Sequence, residues 1–427
     1  MNEYYRLIRH SGNQNLFRVV EMSVASLVSG QPFHIQAEGL RGTGKTSIMR
    51  AARQLLPPIT RIKNCLYNCD PARPHCPVHR HLSPGEIEAL GVEQVPRPFL
   101  EISQAAKLGT VVGSIDLGKL TDLHNPLAAL LPGTIPQAHR GIIFIDEINR
   151  LVDTAPELAD VLLDVMGTRP GRVQIEEPGL PVVELPVNVC IWAAANPDEE
   201  PGSLSLIRKQ LADRFDITVV MARPDSEQSV VNILEGEPGC PLPLEFDKRL
   251  DCHLDRVTVS QELRQVLGKV YVDYNLESLR TVIALESAAC LAALLAGRVT
   301  AGIFELVEIA PLVLAHRVSA DTLAVIMEYL QRLLAGQVPG VPVATPTTLA
   351  KQAGLRWPEC WGRFKSRLAA LLQSHRQIPG DSGLGGTGGA QFIDPLHTKI
   401  IAPPKPAMPL CRLPDEQLVN RDRKPHV

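Results

Sequence analysis

Eight consecutive residues, Gly39-Leu40-Arg41-Gly42-Thr43-Gly44-Lys45-Thr46, constrain this chain more than any other stretch. They fit G-x-x-x-x-G-K-[ST], the pattern of a loop that wraps nucleotide phosphates. The context agrees: residues 33–37 read as a short strand, and residues 47–56 as an amphipathic helix stopped by Pro57-Pro58. Glycines let successive backbone N–H groups turn inward at a helix N-terminus, where the dipole favours negative charge. In this pattern the loop from Gly39 to Thr46 lines the phosphates, Lys45 reaches the β- and γ-phosphates, and the Thr46 hydroxyl ligates Mg²⁺. A glycine-rich turn that binds nothing is the plainer alternative, and a complete match in strand–loop–helix context disfavours it. The residues imply a nucleoside triphosphate.

Residues 65–81 hold three cysteines and three histidines among prolines. Thiolate and imidazole at these spacings can surround one Zn²⁺ with Cys65, Cys69, Cys76 and either His79 or His81. An iron–sulfur cluster is the alternative metal group, with only three cysteines at hand. The third alternative is a proline-rich loop with free thiols. A metal here would fix the loop rather than catalyse.

The chain has 427 residues, 45% hydrophobic and 21% charged, which suits a soluble globular protein with two or three domains. A net charge of −3 gives no overall attraction for nucleic acid. The first residues lack the apolar core of a signal peptide, and no run reaches the length of a membrane span. The expectation is a cytoplasmic protein with no membrane partner, whose nine cysteines are reduced or metal-bound.

The second acidic element follows about a hundred residues after the phosphate loop. Ile142-Ile143-Phe144-Ile145 runs into Asp146-Glu147, a buried strand ending in two carboxylates. In open α/β sheets ligands sit at that carboxyl end. Asp146 would hold the Mg²⁺ shell and Glu147 would orient the attacking water.

Three runs, KLGTVVGSIDL (107–117), AHRGIIFIDEINRL (138–151) and 161–200 ending in VCIWAAANPDEE, resemble magnesium chelatase subunit I. The likeness spans roughly residues 15–335 and implies an AAA+ ATPase that hydrolyses ATP with Mg²⁺. The implied fold class is α/β: an AAA+ P-loop NTPase with a parallel sheet and helices on both faces. An all-α lid domain follows, and then a poorly structured C-terminal extension. By that resemblance Asn196 is the sensor 1 residue, Arg214 in Leu211-Ala212-Asp213-Arg214-Phe215 acts on the neighbouring subunit's nucleotide, and Arg280 is sensor 2. Residues 172–187 alternate around Pro178-Gly179 like the hairpin that this family inserts before sensor 1. The Cys/His segment is not common to the family's photosynthetic members.

The expected domains are 1–222, nucleotide-binding with the Cys/His insertion at 65–81; 223–335, linker and helical lid; and 336–427, linker, short helical segment and Gly/Pro-rich tail. Residues 347–355 also fit a small helix-turn-helix by composition alone. The resemblance implies a homo-oligomeric ring, expected to be a hexamer. No D-x-S-x-S motif occurs in these residues, so a von Willebrand-type partner subunit is implied, with a chelatase large subunit as a further partner. The main functional expectation is the ATPase of a metal-insertion complex; the alternative is a MoxR-type ATPase remodelling a von Willebrand-domain partner. A helicase of the MCM type ranks third, because the hairpin offers Arg172 against Glu176 and Glu177, and tracking DNA takes exposed Lys and Arg.

Overall fold

The computed structural model describes residues 3–115, 130–176, 182–236 and 254–336. The hairpin tip at Pro178-Gly179 and the whole expected tail from 337, including the 347–355 segment, lie outside the described residues. Everything described belongs to one compact unit.

Five parallel strands form the central sheet: β1 (Ile35–Glu38), β2 (Phe99–Ile102), β3 (Ile142–Ile145), β4 (Cys190–Ala195) and β5 (Ile217–Val220), in the order β5-β1-β4-β3-β2. Each inner strand is covered on both faces, so β3 and β4 are apolar at every position rather than alternating. That is why IIFI and CIWAAA read as continuous runs. Helix Gln14–Val28 packs on β1 and β5, as its apolar spacing predicts. The helix after the phosphate loop is shorter than its sequence suggests: Lys45–Ala51 is α-helical and Ala52–Leu55 tightens into a 3₁₀ turn before the two prolines.

Three small antiparallel pairs decorate the sheet. Ile59–Ile62 pairs with Val92–Val95 and carries the Cys/His segment between them. Gly113–Ile115 pairs with Leu130–Pro132, and Gly171–Ile175 pairs with Val183–Val187, the hairpin foreseen before β4.

Helices Gln261–Asp273, Leu279–Leu295, Ile303–Leu314 and Ala320–Leu334 make the lid. Ser260, Ser278 and Ser319 cap three of them, each hydroxyl accepting an N–H of the first turn. Helix Leu279–Leu295 is nearly apolar all round because it is the buried centre, packing on Ile303–Leu314 and on Gln261–Asp273.

Trp192 on β4 is fully buried, and its indole N–H donates to the Ser23 hydroxyl at 2.8 Å, which itself donates to the Phe33 carbonyl at 2.7 Å. The ring thus ties β4 to the first long helix and to the entry of β1. Trp192→Ala should cost about 3–5 kcal/mol, read as a lower urea midpoint at unchanged slope; an unaltered midpoint would show that this tie contributes little.

Candidate nucleotide site

β4 lies between β1 and β3, so the carboxyl ends of all three open at one edge. Register pairs Glu38 with Ala195 and Ala193 with Ile145. Gly39, Asn196 and Asp146, each at or just beyond its strand's end, are therefore neighbours. The Gly39 N–H donates to the Ala195 carbonyl at 3.3 Å, fixing the loop's first residue to β4. Gly39 has φ +150° and a Cβ there would come within 2.8 Å of the Met221 carbonyl, so only glycine fits. Gly44, at φ 85°, is the left-handed entry to the helix that begins with Lys45.

Lys45 is buried, its ammonium donating to the carbonyls of Gly39 at 2.6 Å and Leu40 at 2.8 Å. Burial lowers its pKa, against the pull of Asp146, Glu199 and Asp198. The Thr46 hydroxyl stands 3.2 Å from both carboxylate oxygens of Asp146, across a hundred residues of sequence. Those are oxygen donors only, the chemistry Mg²⁺ takes, so the pair fits that ion. Arg50 reaches 3.8 Å from Asp146, held by paired bonds to Glu101.

Glu147 follows Asp146 in the left-handed region, φ 52° and ψ 50°. A non-glycine residue held there stores about 1–3 kcal/mol of strain, a state that clusters at functional sites. Two contacts hold its carboxylate: the Gln104 amide donates to it, and Arg150 lies 3.2 Å away. Arg150 also approaches Glu199 at 3.4 Å, and Glu199 pairs with Arg41 of the phosphate loop. The fully buried Asn149 donates to the carbonyls of Asn196 at 3.3 Å and Gly202 at 3.0 Å, joining the β3 and β4 loops.

Arg214 and Arg280 are elsewhere. The Arg280 guanidinium donates to the Gly167 carbonyl at 3.1 Å, and an ideal Cβ on Gly167 would stand 3.2 Å from Arg214 Nη1. That Nη1 is shielded from solvent and has no hydrogen-bond partner. Burial, then Arg280, lowers the Arg214 pKa. Both act on His34, whose imidazole burial pushes down to about 3, with Arg169, Arg280 and Arg214 adding to the effect. His34 precedes β1, at the opposite end from Gly39. Five residues of extended chain separate them, roughly 17 Å. Arg169, two residues beyond Gly167, pairs with Asp216 at 3.2 Å, and Asp216 accepts the His34 N–H at 2.7 Å, so the two arginines sit together at the amino end of the sheet, away from the phosphate loop.

The Cys/His segment brings Cys65, Cys69, Cys76 and His79 together, their donor atoms all within 4.8 Å of one another. Cys76 Sγ is 3.1 Å from His79 Nδ1. Cys69 Sγ accepts the N–H groups of His75 at 3.4 Å and Cys76 at 3.3 Å. The three buried thiols share hydrogen bonds: those from Cys69 and Cys76 hold Cys65 low, while the bond to Cys65 pushes Cys69 up to about 11 and raises Cys76. His81 instead accepts from Arg80. Three soft thiols and one imidazole form a donor set suited to Zn²⁺. Asn68 anchors the segment, accepting from Arg61 at 2.9 Å and donating to the Gln137 carbonyl at 2.6 Å.

The sequence named Gly39 to Thr46, Asp146, Glu147, Asn196, Arg214, Arg280 and the cluster of Cys65, Cys69 and Cys76 with either His79 or His81. It missed Gln104, Arg50, Asn149, Arg150 and Glu199. Only sheet order makes Gln104 adjacent to Glu147, since β2 is β3's neighbour.

An AAA lid domain model matches residues 266–327. The magnesium-chelatase 38 kDa subunit of Acidiphilium rubrum is 31% identical over 306 residues, 68% of this chain and 84% of that one. The chloroplastic magnesium-chelatase subunit ChlI-2 of Arabidopsis thaliana is 29% identical over 303 residues, 67% and 69% respectively. A reconstruction of the complex between subunits BchI and BchD of magnesium chelatase contains a chain with 22% identity and a TM-score of 0.42, covering 76% of this chain and 98% of that one. No helix among the described residues is long and apolar enough to cross a membrane.

Proposed function

Because the chain belongs to the family of magnesium-chelatase ChlI subunits, and so is an ATP-hydrolysing AAA+ enzyme, we propose that it is the ring-forming motor of a magnesium-chelatase-type complex, using ATP to drive metal insertion into a tetrapyrrole. The observation that carries the nucleotide chemistry is the meeting of Thr46 with Asp146 beside Lys45. Thr46 and Asp146 would hold Mg²⁺, which would supply positive charge against the phosphates. Phosphate oxygens would take the Lys45 ammonium from the carbonyls of Gly39 and Leu40, and the inward N–H groups of the loop would complete the cradle. Glu147 orients and polarises the attacking water, and the Asn196 amide hydrogen-bonds the γ-phosphate or that water. Arg214 and Arg280, too far from their own loop, serve the nucleotide of the next subunit, where a permanent planar charge spreads over the transferring oxygens.

Six copies form the ring, a von Willebrand-type subunit reads its nucleotide state, and a chelatase large subunit presents the tetrapyrrole. The chain works in the cytoplasm, where its thiols stay reduced. Cys65, Cys69, Cys76 and His79 would hold a resident Zn²⁺ that fixes the Cys/His segment; a histidine as fourth donor favours zinc over an iron–sulfur cluster. Reconstitution with partner subunits tests the whole: porphyrin metallation supports the motor assignment, and an ATP-dependent partner complex that metallates nothing favours remodelling.

Glu147→Gln should keep ATP binding and lower turnover by about 10²-fold or more, measured as phosphate release beside nucleotide affinity; near-parental turnover would remove Glu147 from the water. In mixtures, Arg214→Ala with Lys45→Ala should hydrolyse ATP although neither does so alone, since one interface in the mixed ring joins an intact loop to an intact arginine. Silence from mixed rings of demonstrated composition would argue against action in trans. Elemental analysis of protein purified without chelators should find about one zinc per chain, falling in Cys76→Ser; freely reactive thiols without stoichiometric metal would return the segment to an ordinary loop, and iron with visible absorbance would make it a cluster.

A further inference from the structure

The turn that carries Arg214 is held by a residue of the lid. Arg317 follows helix Ile303–Leu314, its own N–H bonded to the Leu314 carbonyl at 2.9 Å. Its side chain is only 5% exposed and points out of the lid into the nucleotide-binding domain. Nη1 donates to the Asp216 carbonyl at 2.9 Å and to Val313 at 2.8 Å. Nη2 donates to the carbonyl of Phe215 at 2.5 Å and, more weakly, to that of Asp213 at 3.4 Å. Nε lies 3.6 Å from the Asp213 carboxylate. Of the four residues Asp213 to Asp216, three give their carbonyls to this one guanidinium, and the fourth is Arg214.

The other side of the turn is equally fixed. Phe215 is fully buried, and the Asp216 carboxylate accepts the His34 N–H at 2.7 Å and pairs with Arg169 at 3.2 Å. Arg214 Nη1, by contrast, has no partner. The aim of this side chain is thus set by its backbone turn and by Gly167, whose lack of a side chain leaves it room. A planar fork of donors suits three carbonyls around a turn; an ammonium, a point charge, cannot meet them all.

We propose that Arg317 is a positioning residue for Arg214: it bolts the Asp213–Asp216 turn to the lid, so that the lid and the arginine presented to the next subunit move as one body. The proposal rests on the reading that Arg214 acts in trans, and mixed rings separate the two. A subunit with Arg317→Ala keeps an intact phosphate loop and loses a correctly aimed arginine. Alone it should bind nucleotide with parental affinity and lose about 10²-fold in kcat, the effect of an ångström-scale misplacement. Mixed with Lys45→Ala, which contributes an intact turn, it should regain activity. Mixed with Arg214→Ala it should regain none, because no subunit then offers a working arginine. Arg317→Lys, which keeps the charge and loses most of the carbonyl contacts, should behave likewise and serves if the alanine variant does not fold. The control mixture of Arg214→Ala with Lys45→Ala reports on the parent reading: its silence sinks action in trans, independently of Arg317. With that control active, near-parental turnover in either folded Arg317 variant overturns the proposal. So does a folded, nucleotide-binding variant that recovers equally, or not at all, with both partners.

Discussion

Everything at the nucleotide end depends on β4 lying between β1 and β3. Parallel pairing is a long-range constraint, and here it brings Gly39, Asp146 and Asn196, spread over more than 150 residues of chain, to one edge. Backbone hydrogen bonds do the aligning. The apolar runs that cover both faces keep water from competing with those bonds. Once the sheet is in place, the side chains need only short reaches: Thr46 to Asp146, Asn149 across to the β4 loop, Gln104 to Glu147. The strained backbone of Glu147 persists because those neighbours hold it.

Much of this was legible in the sequence. A fixed eight-residue spacing encodes a loop whose geometry is local, so Gly39 to Thr46 could be read directly. The strands β3 and β4 could be read because doubly covered strands lose alternation and leave uninterrupted apolar runs. The Cys/His segment was legible for the same reason of short range, although choosing His79 over His81 took coordinates, since both spacings allow ligation. What remained hidden is what depends on strand order. Gln104 looks like any polar residue after a strand, and Arg150 like any solvated helix position. Arg317 looks like the ordinary basic end of a helix; that it reaches three carbonyls a hundred residues away is a tertiary fact. Helix length was misjudged at residues 47–56, where the tightening into a 3₁₀ turn before Pro57 has no clear mark in residue spacing.

The lid is more than a cover. Its helices form their own core around Leu279–Leu295, and two of its polar attachments, Arg280 to Gly167 and Arg317 to the Asp213–Asp216 turn, are made at the amino ends of the strands, beside an ion pair of Glu308 with Arg18 on the first long helix. The lid is therefore coupled to the part of the molecule far from its own phosphate loop.

That separation has a consequence for how copies can meet. A two-fold, isologous contact through the amino-end face would turn that face toward its own duplicate and set Arg214 and Arg280 against Arg214 and Arg280, with Asp213 and Asp164 as the acids that act on Arg214. A heterologous, head-to-tail contact instead offers that face the phosphate edge of the next copy. Used head to tail, the same face would meet a surface unlike itself, and copies added in that way would follow one another by rotation in a single direction.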